Sequence, residues 1–122
     1  MKQHSSRFLT LIEHVKPLIT EITPQELKAR LDNEKPFFLI DVREDDELAS
    51  GRIPTAIHLS KGIIERDIEK QITDPETPIV VYCSGGFRCA LVAENLQRMG
   101  FKQVASLNTG LQGWINAGYT LE

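Results

Sequence analysis

The sequence is poor in three features that would assign it to specialised classes of protein. Its 122 residues include two cysteines, too few and too close together to staple a domain of this size, so we expect free thiols in a reducing compartment. No apolar run approaches the roughly 20 residues of a membrane span, and the N-terminus has no signal-peptide pattern. Fourteen basic and seventeen acidic residues give a net charge of −3, which provides no footprint for nucleic acid. We therefore expect a cytoplasmic protein without nucleic-acid or membrane partners.

What the sequence does contain is an alternation of short apolar runs with helical patterns. The apolar runs predict strands at residues 21–22, 37–42, within 53–59, 79–82 and 104–107. Strands that alternate with helices form right-handed crossovers and a parallel sheet covered on both faces. We therefore predict one α/β domain over residues 21–122, with a central parallel sheet of about five strands and helices on both faces.

A helical extension is predicted to precede this domain over residues 1–20. The apolar residues from Phe8 to Val15 recur at helical spacing, Ser5 can cap the helix, and Pro17 ends it. The simpler interpretation is a helix packed on the outside of the domain. A dimerisation face is the alternative, so the expected state is a monomer or a weak homodimer.

The loop between the strand at 79–82 and the next helix is the strongest candidate for a functional site. In order it contains Cys83, Ser84, Gly85, Gly86, Phe87 and Arg88. Two glycines let such a loop turn backbone N–H groups inward, and the helix N-terminus adds positive potential at the same place. A cysteine at its rim has its thiolate stabilised, and an arginine suits sulfonate or sulfate oxygens. The loop therefore predicts a sulfur nucleophile, Cys83, facing an anion-binding cradle.

Charged residues at the end of a neighbouring strand are expected beside this loop. Ligands of open parallel sheets bind outside the carboxyl ends of the strands, and Asp41 and Arg43 stand at such an end. We interpret them mainly as a charge-assisted network that braces the loop, with substrate contact by Arg43 as the alternative. Glu47 is interpreted as a partner in that network or as a solvated helix acid.

Four motifs follow one another along the chain: Asp41-Val42-Arg43, the segment 51–56, the loop 83–88 and the segment 109–119. Together and in this order, they resemble the rhodanese-like family and specifically its small single-domain thiosulfate sulfurtransferases. The chain departs from the family pattern outside the loop, at Leu48, Arg52, Thr55, Thr109 and Thr120. Thr55 and Thr109 replace glycines, so these departures bear on local turns rather than on the chemistry.

The resemblance implies a two-step sulfur transfer. The Cys83 thiolate would attack the outer sulfur of a donor such as thiosulfate, and the persulfide would then pass its sulfur to cyanide, a thiol or a sulfur-carrier protein. The implied partners are a small sulfur-containing anion and a thiol or protein acceptor, and no metal or organic cofactor is needed. The family more often has a small hydroxyl residue at position 89. We expect Cys89 to be a buried structural thiol, with a resolving cysteine as the alternative.

Two other functions remain open for the same residues. A cysteine-based phosphatase or arsenate reductase also uses a Cys…Arg anion loop. Four residues separate Cys83 from Arg88, whereas tyrosine-phosphatase-type loops have five, and the narrower cradle suits a lone sulfur better than a phosphoryl group. The other alternative is a non-catalytic binding or regulatory module, although many such relatives lose the nucleophile that this chain keeps.

Overall fold

The structure, a computed structural model, describes residues 3–33 and 35–122, so the first two residues of the predicted N-terminal extension lie outside the described residues. The strands are β1 (Thr20–Ile22), β2 (Phe38–Asp41), β3 (Ile57–His58), β4 (Ile79–Tyr82) and β5 (Val104–Leu107). The α-helices are α1 (Ser6–Val15), α2 (Pro24–Asp32), α3 (Ile64–Asp67), α4 (Arg88–Arg98) and α5 (Gly110–Asn116). Strands and helices thus alternate after α1, as the sequence predicts.

The five strands form one sheet in the order β1-β5-β4-β2-β3, and every neighbouring pair is parallel. The predicted α/β architecture, with its five-stranded parallel sheet and an N-terminal helix, is confirmed. β4 occupies the centre of the sheet, and all four of its residues are buried. The residue that follows β4 therefore lies at the middle of the sheet's carboxyl edge, where open α/β sheets bind their ligands.

Alternate side chains of the central strands enter two separate hydrophobic cores. Val81 packs in the core that α3 and α4 cover, with Ile64 and Leu96 fully buried. Val80 points the other way, into the core that α2 and α5 cover, with Leu27 and Trp114. Each such aliphatic side chain contributes roughly 2 kcal/mol of burial free energy, so both faces anchor the strand that leads to the candidate site. None of the helices in residues 3–33 and 35–122 is long and apolar enough to cross a lipid bilayer.

Three elements are shorter or tighter than the sequence predicts. The third strand is limited to Ile57–His58, and the acidic segment Asp45–Ser50 forms a 3-10 turn. The Glu47 carboxylate accepts the N–H of Glu44 at 2.7 Å, which caps that turn. Ile64, Ile68 and Ile72 fall four residues apart, which predicts one helix with all three on the same face. The structure has α3 followed by a short 3-10 helix at Ile68–Lys70, and all three isoleucines are buried. The apolar spacing therefore identified the buried face but not the length of the helix.

Thr55, which stands where the family pattern has glycine, has a strained backbone conformation. Its φ is +73°, in the left-handed region that a β-branched residue rarely adopts and that glycine adopts freely. We expect Thr55→Gly to raise the free energy of unfolding by about 1 kcal/mol, because it removes this strain. Thr55→Ala keeps a Cβ at the same φ and serves as the control. Urea unfolding would contradict the prediction if both variants changed stability equally.

Candidate active site

The loop 83–88 lies between the central strand and the N-terminus of α4, and its path depends on Gly86 and on Gly110, the first residue of α5. Gly86 has a φ of +97°, and a Cβ at this position would overlap the backbone carbonyl of Asn108. A Cβ on Gly110, whose φ is +63°, would lie 2.5 Å from the Ser84 carbonyl oxygen. Gly85 has open space around it and no left-handed φ, so the predicted conformational role of the two loop glycines falls on Gly86 alone.

The first turn of α5 holds the same loop from the other side. The N–H of Leu111 donates to the Cys83 carbonyl at 2.8 Å, and the N–H of Gln112 donates to the Ser84 carbonyl at 3.0 Å. Helix N-termini leave backbone donors without intrahelical partners, and here the loop supplies the acceptors. The carbonyl oxygens of Cys83 and Ser84 thus have donors from α5, while Cys83, Phe87 and Arg88 line a cleft.

Cys83 lies at the floor of this cleft, with 1% of its surface exposed. The pKa of Cys83 is lowered to about 6, mainly by hydrogen bonding from the Cys89 thiol. The backbone N–H groups of Cys89 and Gly86 and the positive charge of Arg88 lower it further, whereas burial acts in the opposite direction. The Gly86 N–H lies 3.1 Å from the Cys83 sulfur. Since a thiolate is the reactive form of cysteine, this environment favours a nucleophile at neutral pH.

Cys89 is the second thiol of the site, and it is fully buried. Its sulfur lies 3.6 Å from that of Cys83 and accepts a hydrogen bond from the Ser106 hydroxyl at 3.0 Å. Burial, followed by its contact with Cys83, raises the pKa of Cys89 well above its ordinary value. A thiol held in its protonated form is a weak nucleophile but a competent hydrogen-bond donor, which favours a supporting role over the resolving cysteine.

Asp41 and Arg43 form a buried ion pair at the end of β2, with 2.7 Å between Arg43 Nη2 and Asp41 Oδ2. Asp41 also accepts the Tyr82 hydroxyl at 2.9 Å, and burial followed by the Asp41 charge raises the pKa of Tyr82. The remaining Arg43 donors bond the Glu47 and Gly51 carbonyls and the Ser50 hydroxyl. All three side-chain nitrogens of Arg43 thus donate to protein acceptors, and the residue is 1% exposed, which favours the bracing interpretation over substrate contact.

Arg88, predicted to suit sulfonate or sulfate oxygens, is paired with an acidic residue in the structure. Both of its terminal nitrogens donate to the Glu47 carboxylate, at 2.7 and 2.8 Å. This contact raises the pKa of Arg88 further above its already high value. Glu47 therefore bridges the two networks: its carbonyl oxygen accepts from Arg43 and its carboxylate binds Arg88. Glu47 thus occupies the planar fork of Arg88 and ties the loop to the segment Asp45–Ser50, while contact of Arg88 with a substrate anion stays a prediction.

The cleft above Cys83 has a volume of about 840 Å³ and includes residues that sequence reasoning did not assign to it. His4 and Phe8 reach it from the N-terminal segment, and Gln112 reaches it from α5. Phe87, on the loop, also lines the cleft, and its ring contacts those of His4 and Phe8. No local pattern marks His4 or Phe8 as site residues, because their role depends on a contact between distant parts of the chain.

The His, Cys, Asp and Glu side chains of the described residues form no group of three that could hold a metal ion.

The chain is similar to known proteins in both sequence and fold. The family model for the rhodanese-like domain matches residues 23–117. The thiosulfate sulfurtransferase GlpE of Coxiella burnetii is 36% identical over 69% of this chain and 77% of its own length. The tRNA uridine(34) hydroxylase of Protochlamydia amoebophila is 35% identical over 80% of this chain, which spans 31% of that longer protein. A solved Rhodopseudomonas palustris protein of unknown function, described as a "Possible Tyrosine Phosphatase", has a TM-score of 0.84 and 28% identity over 100% of this chain and 99% of its own.

The two loop glycines provide a matched pair of substitutions. We expect Gly86→Ala to lower the free energy of unfolding by about 2 kcal/mol or more, because it combines a left-handed φ with a clash against the Asn108 carbonyl. Gly85→Ala meets open space and should change stability by no more than about 0.5 kcal/mol. Urea unfolding of the two variants checks this, and equal losses would contradict it.

The two-thiol contact predicts a shift in the pH dependence of Cys83. Because the lowered pKa keeps the thiolate above about pH 6, alkylation by iodoacetamide should rise through that pH and then level off. Cys89→Ala removes the donor, so the midpoint should move up by about one pH unit or more. Cys89→Ser keeps a donor and should leave the midpoint near that of wild type. Mass spectrometry of the alkylated Cys83 peptide measures the rates, and identical midpoints in Cys89→Ala and wild type would contradict the assignment.

Proposed function

The chain belongs to the rhodanese-like domain family, whose relatives support sulfur transfer in general. We propose that it transfers a sulfane sulfur from thiosulfate through a persulfide on Cys83. The observation that carries the proposal is the Cys83 sulfur at the floor of an open cleft, 3.1 Å from the Gly86 N–H and with its pKa lowered. GlpE, named as a thiosulfate sulfurtransferase, supports thiosulfate as the donor.

The first step is attack of the Cys83 thiolate on the outer sulfur of thiosulfate. A bond forms between the two sulfur atoms as the S–S bond of thiosulfate breaks, and its electron pair leaves with sulfite. The negative charge moves from the Cys83 sulfur to the new terminal sulfur. Donors that already surround the Cys83 sulfur, among them the Gly86 N–H and the Cys89 thiol, stabilise the attacking thiolate and the charge that remains on this sulfur in the transition state.

The second step returns the enzyme to its starting state. A thiolate or cyanide attacks the terminal sulfur of the persulfide, the persulfide S–S bond breaks, and Cys83 leaves as a thiolate. A low pKa makes Cys83 a good leaving group, so the environment that activates the nucleophile also assists its release. The acceptor is a small thiol or a sulfur-carrier protein, with cyanide as a laboratory substitute.

A non-catalytic binding module is the competing proposal from another class. Such a module would need the loop as a shape, but it would not need a thiolate. Here the Cys83 sulfur has a donor at 3.1 Å and a lowered pKa, and Cys83 lines a cleft of about 840 Å³. These features favour catalysis over binding alone.

Intact-protein mass spectrometry after incubation with thiosulfate tests the mechanism. Wild type should gain one sulfur, about 32 Da, and cyanide should remove it. Cys83→Ser should gain nothing. Cys89→Ser is the matched control, because it loses a thiol of the same loop while keeping the nucleophile, and it should still gain the sulfur.

Two results would sink this proposal. One is a stable sulfur adduct on Cys83→Ser, which would place the reactive thiol elsewhere. The other is no adduct on wild type when the Cys83 thiol is shown to be free and the fold intact. The binding module would then become the leading interpretation.

A further inference from the structure

The N-terminal helix forms one wall of the cleft that leads to Cys83. α1 contacts α4, and its residues Ile12 and Val15 are 2% and 4% exposed. At its start, the Ser5 hydroxyl accepts the N–H of Phe8 at 3.2 Å, which caps the helix. The helix is therefore anchored by burial at one end and by a cap at the other, and Phe8 has a defined position at the cleft.

Three rings meet where α1 faces the loop, and we name them the aromatic subsite: His4, Phe8 and Phe87. Their centroids are 5.1 Å apart for His4–Phe8, 4.9 Å for His4–Phe87 and 6.1 Å for Phe8–Phe87. Two of the three pairs meet edge to face. All three side chains line the same cleft as Cys83. Aromatic groups at such separations attract one another beyond simple burial, so a further ring added to the cluster is favoured.

The size and charge of the cleft suit a ligand larger than an inorganic anion. Its volume of about 840 Å³ falls in the range of roughly 300–1,000 Å³ typical of sites for drug-sized molecules. Arg88 is the guanidinium in its lining, and Glu47 binds both terminal nitrogens of that group. Thiosulfate would use only the floor around Cys83, which leaves the aromatic wall without a role in the first step.

We propose that the aromatic subsite binds the organic group of the acceptor, and that this acceptor is a low-molecular-weight thiol with an aromatic substituent. The inference rests on the proposed sulfur transfer and specifies its second substrate. The thiol sulfur reaches the Cys83 persulfide while its ring packs against Phe8 and Phe87. The N-terminal helix is thereby a specificity element of the enzyme.

The chemical step is a balanced transfer of one sulfur atom. The deprotonated thiol attacks the terminal sulfur of the Cys83 persulfide and forms an organic persulfide. The S–S bond on the enzyme breaks, and its electron pair leaves on the Cys83 sulfur. No other oxidant or reductant takes part, because the sulfane sulfur keeps its oxidation level as it passes between the two thiolates.

An alkylation experiment tests the subsite without requiring a persulfide. Wild type should react faster with N-benzyl-2-iodoacetamide than with iodoacetamide, since the benzyl group binds beside Cys83. Phe8→Ala should lose about tenfold in the rate with the benzyl reagent and less than twofold with iodoacetamide. Phe8→Leu, which keeps apolar bulk, should fall between the two. Leu11→Ala, at a 47% exposed position of the same helix, is the matched control and should behave as wild type.

The second arm uses the persulfide formed from thiosulfate, after removal of excess donor. The rates of sulfur removal by benzyl mercaptan, 2-mercaptoethanol and cyanide are compared between variants for each acceptor, so differences in intrinsic reactivity cancel. Phe8→Ala should slow removal by benzyl mercaptan about tenfold and should leave the other two acceptors within twofold of wild type.

The outcomes separate the subsite from the proposed function. Selective alkylation without any sulfur adduct on wild type would support the aromatic subsite and overturn the sulfur transfer. A sulfur adduct with no benzyl preference in either arm would support the transfer and overturn the subsite. Equal losses for every reagent in Phe8→Ala would also overturn it, because Phe8 would then act by holding the loop in place.

Discussion

At the carboxyl end of β2 the Arg43 guanidinium lies 2.7 Å from the Asp41 carboxylate, with both side chains almost completely shielded from water. Removing two charges from water costs several kcal/mol for each ion, and such a pair persists only where the surrounding hydrogen bonds are complete. Here they are complete on the arginine side, because its other donors reach the carbonyls and the hydroxyl of the 3-10 turn at 45–51. The desolvated pair therefore dictates where that turn lies against the sheet.

The position of the turn then determines the electrostatics of the loop. The turn carries Glu47, and the Glu47 carboxylate holds Arg88 at the start of α4. An arginine in the first turn of a helix faces the positive end of the helix dipole, so it needs an acid to compensate it. The ion pair at β2 thus fixes the acid, the acid fixes Arg88, and Arg88 closes the loop that begins at Cys83. Tyr82, bonded to Asp41 and just before Cys83 in sequence, gives the network a second connection to the same loop.

Sequence reasoning predicted those parts of this arrangement that local patterns encode. The alternation of apolar runs with helical patterns indicated the parallel sheet. The two glycines that follow Cys83 indicated a loop whose backbone N–H groups face its sulfur. Glu47 was predicted as a partner of Arg43, four residues before it, but its pairing with Arg88 joins residues 41 positions apart and no local pattern indicates it. The contact of Phe8 with Phe87 has the same character: the periodicity of α1 indicates a buried face but not what that face meets. The fold could be predicted from the sequence because hydrophobic periodicity and secondary-structure propensity are local properties. The wall of the cleft could not, because it arises from packing between elements that are distant in the sequence.

The balance of charge in the site bears on whether the loop serves sulfur or phosphorus. In the proposed transfer, the Cys83 thiolate and its persulfide are both monoanions, so the loop would hold the same charge before and after the first step. The Gly86 N–H and the Cys89 thiol lie against the sulfur that would carry this charge, and Arg88 is already paired with Glu47. A phosphatase would instead hold a phosphocysteine dianion on the loop between its two steps, and the guanidinium fork that suits its oxygens already donates to a carboxylate. Thiosulfate is also a dianion and would meet the same paired arginine in the first step. The persulfide that stays on the loop would not need that arginine, however, which favours sulfur over phosphorus.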